Sequence, residues 1–270
     1  MKKINWKNWL FLRMDKSDII ACLKDFSDTP ELDAVYLSEA ASSDGQLQDW
    51  IERRQAGEPV AKIIGRKGFW KRDFIVSDAV LDPRPDSETM IDAVLSVYLD
   101  KGENLRFLDL GTGSGCLLLS VLDEYPNAVG VGVEKSQRAF EIATKNGQDC
   151  PRAKFVCRDW NNFSDFDEPF DIVLSNPPYI PFEDKKILPK DTLFDPEEAL
   201  FADENGLAAY RELSVVMPSF LKKDGLVFLE IGIGQKNGVV NLMTNAGFVF
   251  LKSYTDFGGV ERILSFKRKD

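Results

Sequence analysis

The sequence predicts a doubly wound α/β domain, its parallel sheet finished by an antiparallel hairpin, behind a small helical N-terminal segment. Three observations carry this. From Asn104 onward, short apolar runs rich in β-branched and aromatic residues alternate with helix-like stretches, the pattern of a parallel sheet covered on both faces. The chain ends in two strand-like runs, FVFLKSYTD and VERILSFKR, joined at Gly258-Gly259. The first 65 or so residues instead carry helical spacing with helix-start signals. At 270 residues, 44% hydrophobic and 29% charged, the chain has ample material for such a core.

The elements follow in order. Ser17-Asp18 is placed to cap a helix through IIACLKDF, and Thr29-Pro30-Glu31 starts a second through ELDAVYLSEA. Gly45 breaks the pattern, and LQDWIERRQAG makes a third helix that stops at Gly57. GFWKRDFIVSD alternates like a small β-hairpin linking two domains. The proline-punctuated LDPRPDSE leads into a helix, TMIDAVLSVYL. The strands LRFLDL, AVGVGVE, KFVCRD and FDIVLSN come next, with helices CLLLSVLDEY and SQRAFEIATKN after the first two. A helix, GLAAYRELSVVMPSFL, precedes a fifth strand, GLVFLEI.

Composition removes several chemistries. The chain has no histidine, which excludes an imidazole base, a Ser-His-Asp triad and a His-ligated metal. Cys22, Cys116, Cys150 and Cys157 are scattered without a CxxC pair, so reduced thiols and no metal are expected. The apolar run Trp9 to Leu12 is broken by Arg13 and too short for a signal peptide; with no membrane-length run elsewhere, a cytoplasmic location is expected. Thirty-four basic against 44 acidic residues give −10, and that whole excess lies downstream of Asp78. Such a balance argues against a protein whose main partner is duplex DNA. Arg53, Arg54, Lys62, Arg66, Lys67, Lys71 and Arg72 form a basic strip interrupted by Glu58. It reads either as a solvated face or as a docking strip for an anionic partner.

The first strand runs into LDLGTGSGC, with Gly111, Gly113 and Gly115 in GxGxG spacing and Thr112 and Ser114 between them. The spacing differs from the GxGxxG of dinucleotide binders, and no lysine stands where a phosphate loop needs one. A plain tight turn would use the same glycines, but a cofactor without pyrophosphate, S-adenosylmethionine, fits the loop and its surroundings. Glu134 at the end of the second strand is placed to accept ribose hydroxyls. Asp159 and Trp160, at the end of the third, are placed for the adenine amino group and the ring face. Asp109, before the loop, is placed for the ammonium of the methionine tail. Ligands of open α/β sheets bind beyond the carboxyl ends of the strands, where all these residues fall.

After the fourth strand comes SNPPYI. Pro177 and Pro178 hold the loop extended, exposing the Asn176 side-chain oxygen and the Pro177 carbonyl as acceptors beside the Tyr179 ring. Two acceptors and an aromatic plate suit a planar –NH₂ group, whose delocalised lone pair needs positioning more than a strong base.

Together, LDLGTGSG, the acidic second strand end and NPPY resemble the seven-stranded, Rossmann-like methyltransferase fold of amino-methylating enzymes. NPPY is shared by enzymes acting on adenine N6 in DNA and on a protein glutamine amide. GEPVAKIIGRKGFW, VLDPRPDSE, DPEEAL, ENGLAAYREL, LEIGIGQ and FGGVERI are similar to segments of the release factor glutamine methyltransferase family. The resemblance spans about Gly57 to Ile263; the helical segment is similar in kind only and shorter than the family's. It departs from the family pattern in Asp82 before Pro-Arg-Pro, in Asp86-Ser87-Glu88 after it, and in Glu134 for the commoner Asp. The resemblance implies methyl transfer from S-adenosylmethionine to the glutamine of the Gly-Gly-Gln motif in peptide chain release factors. It assigns Gly111 to Gly115, Glu134 and Trp160 to the cofactor, and Asn176, Pro177, Pro178 and Tyr179 to the target glutamine, with Asn176 also bordering the cofactor. The expected organisation is then a docking domain over 1–65, a hairpin linker over 66–80 and a methyltransferase domain over 81–270. Release factors are the expected partners, with ribosome association possible and sequence-specific DNA binding not expected. The competing readings are an adenine-N6 methyltransferase on DNA or RNA, and a non-catalytic cofactor-binding protein.

Overall fold

The computed structural model describes residues 14–164 and 166–269, so the apolar run Trp9 to Leu12 lies outside the described residues. The chain divides into two compact units, Met1–Gly65 and Arg66–Asp270.

The first unit packs α1 (Lys16–Leu23), α2 (Pro30–Ala40), α3 (Asp44–Gln55) and the short α4 (Val60–Ile64). Ile19, Leu23, Ala34, Leu37, Trp50, Ile51 and Ile63 meet in its core. The start of α1 differs from expectation by two residues. Asp15 is the cap, and Asp18 closes a reciprocal capping box with it. Gly45 does not interrupt α3 but sits in its first turn, because Ser43 already supplies the cap to the Gln46 N–H. The first turn tolerates glycine because its N–H groups have no helical partners to lose. Arg54, inside the expected basic strip, pairs with the buried Asp33 at 2.6 Å, and Arg53 pairs with Glu58.

The second unit opens with the hairpin β1 (Arg66–Phe69) and β2 (Arg72–Ile75), turning at Trp70 with φ 53°. Its tip is held by α6 (Cys116–Glu124). Trp70 Nε1 donates to Glu124, Lys71 pairs with Glu124, and Arg72 pairs with Asp123 and Asp149. Arg53, Arg54, Lys71 and Arg72 of the strip therefore already face carboxylates.

The seven-stranded sheet is built from β3 (Arg106–Leu110), β4 (Val129–Glu134), β5 (Ala153–Cys157), β6 (Phe170–Ser175), β7 (Leu221–Glu230), β8 (Phe248–Thr255) and β9 (Glu261–Arg268). The spatial order is β8-β9-β7-β6-β3-β4-β5, with β9 antiparallel to both of its neighbours and the rest parallel. On one face lie α5 (Glu88–Val97) and α6, whose Met90, Val94, Leu118 and Leu122 pack with Phe107 and Phe228. On the other lie α8 (Ala208–Phe220) and α9 (Lys236–Asn245), with Tyr210, Leu213 and Met243 against Leu108, Val173 and Val227, and α7 (Gln137–Asn146) joins β4 to β5. Phe107 and Leu108, adjacent in β3, thus point into opposite cores, as a two-sided parallel sheet requires. The sequence did not announce α9, whose polar residues dilute its apolar stripe.

The strand order reverses between β3 and β6. Asp109 pairs with Leu174 and Gly132, and Ser175 with Leu229, so the carboxyl ends of β3, β4, β6 and β7 share one edge. That switch point is where open α/β sheets bind ligands. Among the described residues, no helix is long and apolar enough to cross a membrane.

Candidate active site

The glycine loop leaves β3 with Gly111, Gly113 and Gly115 at φ 73°, 55° and 81°, a left-handed region that side chains resist. Its path is tied to β4, since the Gly111 and Thr112 N–H groups both donate to the Val133 carbonyl. A Cβ on Gly111 would stand 3.3 Å from the Trp160 ring, and one on Gly115 would stand 3.1 Å from Phe155. At Gly111 and Gly115 the loop is therefore closed down on two aromatic rings, while Gly113 faces open space.

Beyond it opens a cavity that is partly open to solvent. Gly111, Thr112, Gly113, Ser114, Glu134 and Trp160 line one side, and Asn176, Pro177 and Pro178 another. Glu134 is buried. Its Oε2 accepts from the Gly113 N–H at 3.0 Å and its Oε1 from the Ser136 N–H at 2.9 Å. Burial raises its pKa, with these two N–H bonds opposing. Each carboxylate oxygen keeps a second lone pair for a ligand hydroxyl. Trp160 is steadied by its Nε1 bond to Glu212 at 3.2 Å.

Asp109 is 1% exposed and lies behind the glycine loop, not among the residues that line the cavity. Its Oδ2 accepts from the Thr112 hydroxyl at 2.6 Å, while its Oδ1 makes no hydrogen bond. Burial pushes its pKa up to about 7. An unpartnered buried carboxylate oxygen behind a cradle of glycine backbone, and the carboxylate of Glu134 in its wall, suit a nucleoside with a cationic tail. The residues present thus fit S-adenosylmethionine. Asp159 is placed differently from expectation. It does not line the cavity, and its side chain caps the turn Trp160–Asn162 through the Asn161 N–H. An acid after a strand serves equally well as a cap, which spacing alone does not separate.

Asn176, Pro177 and Pro178 of the NPPY loop form the other half, and Tyr179 stands outside the cavity lining. Asn176 Nδ2 donates to the buried Ser87 Oγ at 3.3 Å, which leaves Asn176 Oδ1 as the free end of the amide. The Tyr179 hydroxyl donates to Glu230 at 3.3 Å. The Tyr179 carbonyl accepts from Gln235 Nε2 at 2.8 Å. Gly206, at φ 81°, lets a neighbouring turn pass; a Cβ there would meet the Tyr179 carbonyl oxygen at 2.1 Å. Arg84, from Pro-Arg-Pro, pairs with the buried Asp195, and the backbone N–H of buried Asp82 donates to the same carboxylate at 3.1 Å. Arg84, Asp82 and Glu198 also line the cavity. In the sequence, Ser87, Glu198, Gln235 and Glu230 stand in VLDPRPDSE, DPEEAL and LEIGIGQ with no site role attached to them. No spacing ties them to the site; only the sheet topology does.

The family model for the Methyltransferase small domain matches residues 87–226, which contain both loops. A release factor glutamine methyltransferase from Rhodospirillum rubrum is 39% identical over 241 residues, 88% of this chain and 72% of that protein. Another, from Caulobacter vibrioides, is 40% identical over 235 residues, 85% of this chain and 80% of that protein. A methyltransferase from Pyrococcus furiosus, of known structure, shares the fold with a TM-score of 0.55. It is 17% identical, covering 83% of this chain and 98% of that one. The chain belongs to the release factor glutamine methyltransferase family and uses S-adenosylmethionine as its methyl donor.

Proposed function

We propose that this protein methylates the side-chain amide nitrogen, N5, of the glutamine in the Gly-Gly-Gln motif of peptide chain release factors. The observation that carries the reading is the state of the NPPY loop, whose asparagine oxygen is turned free by Ser87 beside the glycine-loop cavity. Asn176 Oδ1 and the Pro177 carbonyl accept the two hydrogens of the substrate amide, and the proline has no N–H to compete. Tyr179, held at both its hydroxyl and its carbonyl, covers the amide face. So gripped, the nitrogen presents its lone pair along one direction, which is the positioning a poor nucleophile requires. Glu134 holds the cofactor ribose, Trp160 covers the adenine, Asp109 faces the ammonium and the backbone of Gly111 to Gly115 cradles the tail. When bound, S-adenosylmethionine supplies a methyl group on a sulfonium that leaves as a neutral thioether. The nitrogen becomes strongly acidic as it gains charge, so its proton leaves to water and no histidine is required. We assign the helical unit 1–65 to docking of the release factor in the cytoplasm, free or on the ribosome.

The test pairs two tubes, each with the protein and S-adenosylmethionine. One holds an unmethylated release factor and the other an adenine-containing oligonucleotide. Methyl incorporation into the release factor alone is expected. Incorporation into the oligonucleotide alone would replace the glutamine reading with a nucleic-acid one.

A further inference from the structure

Glu230 ends β7 inside the protein, 2% exposed, directly beneath the NPPY loop. Its Oε1 accepts the Tyr179 hydroxyl, and its Oε2 makes no hydrogen bond of good geometry. The Ser87 hydroxyl is nevertheless near enough to lower the pKa of the same carboxyl, and Ser87 Oγ is the acceptor for Asn176 Nδ2. A serine oxygen that accepts from an amide has its own hydrogen free to donate. The donor directions therefore all point inward, from Asn176 to Ser87 to Glu230 and from Tyr179 to Glu230.

We infer that Glu230 is a positioning residue for methyl transfer: through Ser87 it fixes which end of the Asn176 amide faces the substrate, and through the Tyr179 hydroxyl it fixes the covering ring. The inference rests on the acceptor reading of the NPPY loop given above. Without a carboxylate behind it, the Ser87 hydroxyl is equally able to donate to Asn176 Oδ1. The asparagine would then turn its –NH₂ toward the incoming amide, donor against donor, and the grip would fail.

The same chain of donors makes the device sensitive to ionisation. Burial pushes the Glu230 carboxyl up to about 7, opposed by hydrogen bonds from Ser87 and Tyr179 and by the charge of Arg262, and assisted by Asp86. Tyr210, whose hydroxyl donates to the Glu230 carbonyl, and Cys116, pushed by burial to about 12, face the group uncharged at neutral pH. Only the ionised carboxylate accepts from both hydroxyls. The protonated form would donate to one of them and reverse the chain.

Turnover at saturating S-adenosylmethionine and cofactor affinity by calorimetry are measured for wild type, Glu230→Gln, Ser87→Ala and Ser87→Thr. A glutamine side chain offers an –NH₂ to one of the two hydroxyls whichever way it turns. Glu230→Gln and Ser87→Ala should each lose about 10–100-fold in kcat, the range for outer partners that orient a working ligand, with cofactor Kd within about twofold. Ser87→Thr, which keeps the hydroxyl, should recover most of the loss. Wild-type kcat should rise with pH through about 7, and Glu230→Gln should flatten that rise. Wild-type turnover in Ser87→Ala, or a loss not rescued by threonine, would overturn the inference. The serine pair decides the matter even if Glu230→Gln does not fold. A wild-type protein that leaves the release factor unmethylated would instead overturn the proposed function itself.

Discussion

The two halves of the cavity are assembled in opposite ways. The cofactor half is held by near neighbours: Asp109 by Thr112, three residues on, and Glu134 by Gly113, 21 residues away in the loop that leaves the adjacent strand. The acceptor half is held from afar, Asn176 by Ser87 across 89 residues, and Tyr179 by Glu230 and Gln235 across 51 and 56. A glycine loop that bends on its own φ values is in place once β3 and β4 pair. The NPPY loop is in place only after the whole sheet, out to β7, has closed. The cofactor can thus be held by a local motif, whereas selection of the methyl acceptor depends on the completed fold.

The sharpest way to break this division is Asn176→Ala. Loss of an oriented polar group at a reacting centre costs about 10²–10³ in rate, so kcat should fall by that factor while cofactor affinity changes little. Equal losses in both would mean that Asn176 chiefly shapes the cofactor pocket. Glu134→Ala should do the reverse. It removes the ribose acceptor and the partner of two loop N–H groups, and should weaken S-adenosylmethionine binding by about 10–100-fold, from about 1–3 kcal/mol per unmade buried bond. Calorimetry that finds unchanged affinity would remove the ribose role.

A smaller effect sharpens the cofactor side. Asp109 is raised to about 7 by burial, and only its ionised form attracts an ammonium. Affinity for S-adenosylmethionine should therefore rise several-fold as pH climbs through about 7, and Asp109→Asn should flatten the curve. A pH-independent affinity in wild type would place the tail elsewhere.

The contrast also explains what the sequence disclosed. Both loops were legible, because Gly111 to Gly115 and Asn176 to Tyr179 are contiguous and their chemistry lies in their own backbone. Ser87 and Glu230 were not, since nothing but strand order brings residue 87 beside residue 230. The hairpin at Trp70 could be read from alternation, but its attachment to Glu124 and Asp123 could not. The basic strip was legible only as a run of like charges for the same reason: such a run says nothing of distant carboxylates such as Asp33 and Asp123. Asp159 shows the reverse case, where a local competitor, the Asn161 N–H, takes a side chain that strand-end position alone assigned to a ligand.

The smallest expected effect on catalysis is a control away from both halves. Glu124, at the far end of α6 from the glycine loop, would be raised by burial, but bonds from Lys101, Lys71 and Trp70 hold it down to about 2 against an ordinary 4.5. Its contribution to stability is therefore complete above about pH 4.5 and is lost as pH falls through about 2. Glu124→Gln should cost about 1–3 kcal/mol at pH 7 by denaturant titration, leave kcat unchanged, and match wild type in stability near pH 2. A fall in kcat would tie the hairpin to the site.

The most direct measurement is a fragmentation mass spectrum of the Gly-Gly-Gln peptide from a release factor treated with this protein and S-adenosylmethionine. One methyl group on the side-chain nitrogen of the glutamine, absent after treatment with Asn176→Ala, is the predicted result. A methyl group on any other atom of the peptide, or one added equally well by Asn176→Ala, would contradict the account of the NPPY loop as the grip on the acceptor amide.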